Sequence, residues 1–379
     1  MAISEQMRPL LPTHYYILYE PPDDRGDEAL QFISQRRRIT VKGTMLREFK
    51  NEVLPLLDGR HTVAEIESLV ADILPPANVN AALGLLEQQN LLIADAPGRG
   101  GSGLDRLAPQ LNFFHELGLS SRETQQRLFN AKVSVLGLGG LGSLVATGLA
   151  AAGIGQLRLI DDLPVRESDG LYSPVYGAAD LGGGRVRAVQ RAIEERFASV
   201  SVEPMESRIE TDAQMETAIN GADFVACCTD PGQSVYRYKL NRACDAARIP
   251  WITCTAAGFE GIVGPTVRPG KTACYLCYTM RSVASARDPE ADFTFQQFLD
   301  GQRTDDADRR ENLGFSTGLV ANLAGLEILK SLAGLGPCQT DGSILVVDFM
   351  QTTIRRHVVL RNPRCPVCFP PAPREQRSD

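Results

Sequence analysis

The sequence predicts an α/β fold with a small α+β module in front of it, and three observations carry that prediction. A strand, Lys132–Leu136, runs straight into Gly137-Leu138-Gly139-Gly140-Leu141-Gly142 and then into an apolar helix. This is G-x-G-x-x-G in the strand–turn–helix context that gives the pattern meaning, and it predicts a Rossmann-like sheet. Strands and helices alternate after it, as a parallel sheet requires. Two C-x-x-C pairs, Cys274/Cys277 and Cys365/Cys368, each preceded by a turn-like stretch, predict a zinc staple between the tail and the middle of this domain.

Composition bounds the rest. The chain has 379 residues, 43% hydrophobic and 22% charged, which excludes a wholly disordered chain, a collagen and a multi-span membrane protein. At roughly 100–200 residues per domain, this length predicts at least two domains. With 39 Lys+Arg against 46 Asp+Glu the net charge is −7, which argues against a nucleic-acid partner. The longest apolar stretch, Leu144 to Ile154, is broken by Thr147, Gly148 and Gly153. It falls far short of a span of about 20 residues, so no membrane association is expected. The first residues lack the pattern of a signal peptide, and nine cysteines do not suggest a disulfide framework. A cytoplasmic location follows as the expectation.

Residues 1–97 read as one module of winged-helix-like pattern. Tyr15–Tyr19, Ala29–Ile33 and Arg38–Val41 are strands by their β-branched and aromatic content. Leu46, Phe49, Val53 and Leu56 share a helical face. Thr62-Val63-Ala64-Glu65 is a capping box opening a second helix. A third runs from Pro76 to Gln89, and Leu91–Ile93 is expected as a wing strand. A Gly-rich linker follows at 98–110, then the larger domain at 111–379. Within it, polar and charged residues 284–312 predict a long mobile loop, and the tail after Pro370 is expected to be disordered.

The glycine turn predicts a phosphate site. Glycines permit a tight turn and close backbone approach, and the helix N-terminus favours an anion. The second strand, Gln156–Ile160, ends in Asp161, placed to hold ribose hydroxyls. A third strand, Phe224–Cys228, ends in Thr229-Asp230. A carboxylate at that end of a strand can hold Mg²⁺ beside a triphosphate, a group that hydride transfer has no use for. Cys227, Cys228, Cys244 and Cys254 lie in apolar surroundings and read as buried structural residues.

These residues, with Leu240-Asn241 and the two C-x-x-C pairs, resemble the E1-like adenylating superfamily over about residues 110–370. The superfamily includes the molybdopterin- and thiamin-pathway adenylyltransferases and the ubiquitin-activating enzymes. The resemblance implies ATP, Mg²⁺, attack of a carboxylate on the α-phosphate, and a homodimer. It implies that Gly139 and Gly140 face the phosphates within the Gly137–Gly142 turn, that Asp161 holds the ribose, and that Asp230 holds Mg²⁺. Arg185 falls where the family has a phosphate-binding lysine, its alternative being a solvated helix residue. Three departures stand out. The family's Ser-Asn-Leu-x-Arg-Gln aligns with Ser168-Asp169-Gly170-Leu171-Tyr172-Ser173, so a tyrosine stands for the triphosphate-contacting arginine. The arginine donated across the family's dimer has no counterpart near Asn112–His115. Arg166, Arg187 and Arg237 are the candidate replacements. No cysteine lies between Cys277 and Cys338, which argues against a thioester relay.

The first 97 residues are similar to the peptide-recognition domain of enzymes that modify ribosomal peptides, through Ile39–Gly43 and Leu54–Ile66. The resemblance implies that a precursor's leader adds as a strand near Arg37–Lys42, beside the third helix. That helix region, 76–90, carries no Lys or Arg, against a DNA-binding role. The layout is similar to the microcin C7 and pantocin A type of enzyme, the pantocin A type most, which implies ATP-dependent activation of a core carboxylate in antibiotic biosynthesis. The other class is a non-catalytic scaffold that delivers a peptide to a separate cyclodehydratase.

Overall fold

The computed structural model describes residues 4–22, 24, 26–93, 105–229, 234–301 and 312–369. The chain divides into two compact units, Met1–Gln126 and Arg127–Asp379.

In the first unit three antiparallel strands, β1 (Tyr16–Glu20), β2 (Glu28–Ile33) and β3 (Arg38–Gly43), pair in the order β1-β2-β3. β2 is therefore central and β3 is an edge. Alternation along the strands buries Leu30, Phe32 and Val41 and leaves Arg38, Thr40 and Lys42 exposed. Helix α1 (Leu46–Glu48) passes through a π turn, Phe49–Val53, into a 3-10 turn, Leu54–Leu56. Leu46, Phe49 and Val53 are buried as their spacing requires. The helix loses regularity where Pro55 removes a backbone donor. Helix α2 (Val63–Val70) carries the expected capping box, with Glu65 N donating to Thr62 Oγ1 at 3.2 Å and Thr62 N donating to Glu65 Oε2 at 2.7 Å. Helix α3 (Pro76–Gln88) buries Val79, Leu83 and Leu86.

The wing strand expected at Leu91–Ile93 does not form. Ile93 makes only an isolated bridge with Leu10, while Leu91 and Leu92 are both buried and do not alternate. Of the linker at 98–110, residues 98–104 lie outside the described residues, and 105–110 are helical, in a turn Asp105–Leu107 and the start of α4 (Ala108–Glu116). The last residue of α4 ties this unit together. Glu116 accepts hydrogen bonds from His14 Nε2 and Tyr15 OH at 2.8 Å and from Ser34 Oγ at 3.0 Å, and pairs with Arg37 Nε at 3.3 Å. Arg37 also reaches the Tyr15 hydroxyl and Asn90 O. The entry to β3 is thus pinned to the segment before β1, the end of α3 and α4.

Helix α5 (Ser121–Asn130) leads to an eight-stranded sheet. Its strands are β4 (Lys132–Leu136), β5 (Gln156–Ile160), β6 (Ser201–Met205), β7 (Phe224–Cys227), β8 (Trp251–Ala257), β9 (Glu260–Val267), β10 (Ser343–Asp348) and β11 (Thr353–Val358). They lie in the order β11-β10-β9-β8-β7-β4-β5-β6. The run β8-β7-β4-β5-β6 is parallel, as the sequence predicts. The other half is antiparallel, because β8 and β9 form a hairpin at Gly258 and β10 returns beside β9. The helices are α6 (Gly140–Ala151), α7 (Glu167–Tyr172), α8 (Arg185–Arg196), α9 (Asp212–Ile219), α10 (Ser234–Ala247), α11 (Tyr275–Ala284), α12 (Pro289–Gly301) and α13 (Gly314–Ala333). β4 connects to β5 on one side while β7 lies on its other side, so the chain reverses its winding direction between β4 and β7. The loops after these two strands meet there.

Helix α12 corrects the expectation of a continuous loop over 284–312. Pro289 opens it, and Glu290 and Asp292 in its first turn favour the N-terminal end of the helix dipole. Residues 302–311 and the tail from Pro370 lie outside the described residues. Among the described residues, no helix is long and apolar enough to cross a membrane.

The Glu116 cluster makes the first unit sensitive to acid. Burial works against ionisation of Glu116, but hydrogen bonds from His14, Tyr15 and Ser34 and the Arg37 charge outweigh it and hold the carboxyl down to about 2. A depressed carboxylate contributes stability above its ordinary value of 4.5, and that contribution is lost as pH falls from there towards 2. Glu116→Gln is expected to lower the melting temperature at pH 7, with the gap to the parent protein closing between pH 4.5 and 2. Thermal unfolding across that range measures it; a pH-independent gap would contradict the electrostatic account.

Candidate functional site

Each glycine of the 137–142 turn has its own steric reason. Gly137 has φ +84°, and a Cβ there would stand 3.0 Å from Thr229 N and Cα, so the turn after β4 touches the end of β7. A Cβ on Gly142 would lie 1.8 Å from Gly137 O, so helix α6 meets the turn backbone to backbone. A Cβ on Gly140 would lie 2.3 Å from Tyr172 Cβ, on α7. Gly139 differs: it is the N-cap of α6, without a side-chain cap, and the nearest atom to its missing Cβ is Arg185 Nη1 at 3.9 Å. The side of Gly139 is the open side, where the unpaired N–H groups of a helix start favour an anion.

Asp161 lies just after β5 and under this turn. Its Oδ2 accepts from Leu138 N at 2.6 Å and its Oδ1 from Leu163 N at 2.8 Å. Burial pushes its carboxyl up, against the pull of Arg185 and these two backbone donors. Arg185 opens α8 and is 4% exposed, which excludes its reading as a solvated helix residue. Its Nε and Nη2 fork onto Asp169 Oδ2 and Oδ1 at 2.9 and 2.8 Å, and its Nη1 lies 3.7 Å from Asp161 Oδ2.

A pocket at this place is lined by Gly139, Gly140, Leu141, Tyr172, Cys228, Thr229, Cys254, Thr255, Ala256, Asn312 and Thr317. Asp230 lies outside the described residues. Of the candidate replacement cations, Arg237 is buried and donates from Nη2 to Thr229 O at 2.8 Å. Arg187 is exposed, pairs with Glu206 and does not line the pocket, so it does not serve as a replacement. Arg166 is the N-cap of α7, and its N–H donates to Asp169 Oδ2 at 2.9 Å.

Sequence reasoning missed Thr255, Asn312 and Thr317. Thr255 was findable, since it stands near the C-terminal end of β8 on the same edge as Thr229. Asn312 and Thr317, joined by an Nδ2–Oγ1 hydrogen bond of 2.9 Å, border the charged stretch and carry no motif. Cys228 and Cys254 are buried as expected, yet both line the pocket, their sulfurs 3.6 Å apart.

The four paired cysteines do come together. Cys274 Sγ lies 3.9 Å from Cys277 Sγ and 3.5 Å from Cys365 Sγ, and Cys277 Sγ lies 3.5 Å from Cys368 Sγ. All four sulfurs lie within 4.8 Å of one another. A tetrahedron with metal–sulfur bonds of about 2.3 Å has edges close to these separations, so the cluster can hold a metal ion. Asn241 supports it from α10, its Oδ1 accepting from Tyr275 N at 3.0 Å at the start of α11.

Two substitutions separate packing from openness. Gly142→Ala forces backbone apart at the centre of the unit and is expected to cost several kcal/mol, of order 3, or to abolish folding. Gly139→Ala meets only the end of a side chain at 3.9 Å and is expected to leave the melting temperature near that of the parent. Comparing the two melting curves decides it; equal destabilisation would show that the open side of Gly139 is not open.

Comparison with known proteins agrees with this geometry. The model of the ThiF family matches residues 107–367. The molybdopterin-synthase adenylyltransferase of Salmonella typhimurium is 30% identical over 246 residues, 65% of this chain and 90% of that protein. The adenylyltransferase and sulfurtransferase MOCS3 of Sus scrofa is 32% identical over 254 residues, 67% of this chain and 50% of that protein. Among solved structures, Escherichia coli MccB with MccA-N7isoASN superposes with TM-score 0.65 at 19% identity, covering 95% of this chain and 99% of that one. PaaA superposes with TM-score 0.66 at 21% identity, covering 92% and 99%. At these identities the structures speak for the fold, which takes in the N-terminal sheet as well as the glycine turn. With two thirds of its length under one family model, the chain belongs to the ThiF family of E1-like proteins.

Proposed function

We propose that this protein is an ATP-dependent enzyme that activates a carboxylate of a ribosomally made precursor peptide, for intramolecular cyclisation in antibiotic biosynthesis. The observation that carries the reading is that one chain holds both a glycine turn with an open phosphate side and a three-stranded sheet whose strand β3 is an edge. The likeness to adenylyltransferases supports the nucleotide half. The likeness to MccB, solved with N-formylated MccA, supports the peptide half.

In this reading Asp161 takes the ribose hydroxyls, the phosphates lie at Gly139 and the start of α6, and Arg185 Nη1 meets them. Asp230 holds Mg²⁺, which neutralises charge on the triphosphate. A carboxylate oxygen of the peptide attacks phosphorus. Attack at the α-phosphorus breaks the bond to pyrophosphate and leaves an acyl-adenylate, whereas attack at the γ-phosphorus instead breaks the bond to ADP and leaves an acyl phosphate. A nucleophile of the same peptide then displaces AMP or phosphate. The leader adds as a strand along β3, whose exposed Arg38, Thr40 and Lys42 face solvent. Zinc fills the four-cysteine cluster as a structural ion, since four sulfurs leave no position for water. The active form is a cytoplasmic homodimer.

One observation favours a second reading, the non-catalytic scaffold. Tyr172 stands in the pocket wall against Gly140, at the position where the resemblance implied an arginine on the triphosphate. Nucleotide turnover decides between the two. Purified protein with Mg²⁺ and the precursor peptide is expected to release AMP or ADP in a peptide-stimulated manner. Asp230→Ala is expected to lower the rate by about two orders of magnitude, as loss of transition-state charge stabilisation does. Metal analysis of the same preparation is expected to find one zinc per chain. Tight peptide binding without nucleotide consumption would sink the enzyme reading.

A further inference from the structure

The buried ion pair beside the glycine turn has a direction, and that direction gives Asp169 a role. A guanidinium offers five N–H donors in a rigid plane. In Arg185 the edge formed by Nε and Nη2 is fully used, because each nitrogen donates to one oxygen of Asp169 at 2.9 and 2.8 Å. Nη1 remains. It lies 3.7 Å from Asp161 Oδ2, beyond hydrogen-bonding distance, and 3.9 Å from the Cβ position of Gly139. The one loosely held nitrogen therefore stands beside the open side of the turn. Asp169 is itself held: its side chain is 5% exposed, and its Oδ2 also accepts from Arg166 N at 2.9 Å. Arg166 and Asp169 are the N-cap and third residue of α7, so the carboxylate that grips Arg185 also caps the helix ending in the pocket residue Tyr172.

We propose that Asp169 is a positioning residue for nucleotide binding. It clamps Arg185 through the Nε/Nη2 edge and so aims Nη1 alone at the phosphate that binds at Gly139. This rests on reading the turn as a nucleotide site. Without the clamp the guanidinium can rotate to offer its two-donor edge to Asp161, 3.7 Å from Nη1, in place of the ligand. Charge-assisted hydrogen bonds are strong when aligned and weaken steeply when they are not. An isosteric neutral partner, as in Asp169→Asn, keeps the volume and one acceptor but loses the charge and the second acceptor of the fork.

The test is a comparison of two ligands that differ in phosphate. Binding of Mg·ATP and of adenosine is measured by calorimetry on the full-length protein, for the parent, Asp169→Asn, Arg185→Gln and, on the outer face of α8, Arg187→Gln. Asp169→Asn and Arg185→Gln are each expected to weaken ATP by roughly tenfold or more, the size of a misdirected charge-assisted contact. Both are expected to change adenosine affinity by less than about twofold, since a ligand without phosphate makes no charge-assisted contact to lose. Arg187→Gln is expected to change neither. ATP affinity unchanged in Asp169→Asn overturns the inference while leaving the nucleotide reading intact. So does a parallel loss of both ligands, which marks a structural role. A parent protein that binds neither ligand overturns the nucleotide reading and this inference with it. Asp169→Glu guards against misfolding of the asparagine variant: it keeps the charge on a longer arm and is expected to recover part of the ATP affinity. Failure of any recovery in a folded Glu variant that binds adenosine normally would count against the clamp.

Discussion

Helix α6 meets the turn after β4 backbone to backbone, and the geometry around the pocket follows from that approach. Gly142 comes against Gly137 O, and Gly137 in turn comes against Thr229 at the end of β7. The Gly142–Gly137 approach is closer than any Cβ would allow, and the Gly137–Thr229 approach is tight at a φ of +84° that favours glycine. The position is the one where the parallel strands diverge to the two sides of β4, so a cleft forms between the loops after β4 and β7. Because α6 starts at the bottom of this cleft, its unpaired N–H groups and its dipole point into it. The glycines thus serve two purposes that a motif alone does not separate. Gly137, Gly140 and Gly142 make the contact possible, and Gly139 leaves a space.

Charge is arranged around that space with little margin. Arg185 and Asp169 are almost wholly buried, and a buried charge must be paired and hydrogen-bonded to be tolerated. Two carboxylates, Asp161 and Asp169, surround the one guanidinium. The backbone donors of Leu138 and Leu163 on Asp161, and of Arg166 on Asp169, hold the acids in place. The glycine turn is thus bonded to Asp161, and the start of α8 to the start of α7 through Asp169, with Arg185 Nη1 facing Asp161 across 3.7 Å. The smaller unit uses the same device at its own centre, where Glu116 gathers His14, Tyr15, Ser34 and Arg37 beside the entry to β3. In both units a carboxylate sets the orientation of an arginine next to the element that the proposed ligand would meet.

Much of this was legible in the sequence where a residue's role depends on its near neighbours. The glycine turn between strand and helix, the capping box at Thr62 and the first three strands depend on local geometry, and the structure has them. The cysteine pairs were legible for a different reason: zinc chemistry prescribes the spacing within each pair, and two pairs are needed to complete a tetrahedron. Pairings distant in sequence were not legible. Asp169 and Arg185 each stood out singly as departures from a family pattern, but nothing in the sequence says that one answers the other. The antiparallel half of the sheet was hidden because β10, which pairs with β9, is separated from it by α11, α12 and α13 much as a parallel strand would be, although β10 and β11 are joined by a short turn. Helix α12 was hidden by its charged surroundings, which outweighed the helix signals at Pro289 and Glu290. The failure of Leu91–Ile93 to form a wing strand reflects tertiary packing, since both leucines turn into the core and leave only a bridge to Leu10.

The central claim is that a peptide carboxylate is activated on ATP at the open side of Gly139. Exchange of labelled pyrophosphate into ATP, with and without the precursor peptide, tests it most directly, because exchange requires an acyl-adenylate that forms reversibly. The account in its adenylating form predicts exchange that depends on both the peptide and Mg²⁺. Peptide-dependent release of ADP without exchange would move the attack to the γ-phosphate. A protein that binds peptide and ATP yet shows neither exchange nor release would contradict the account.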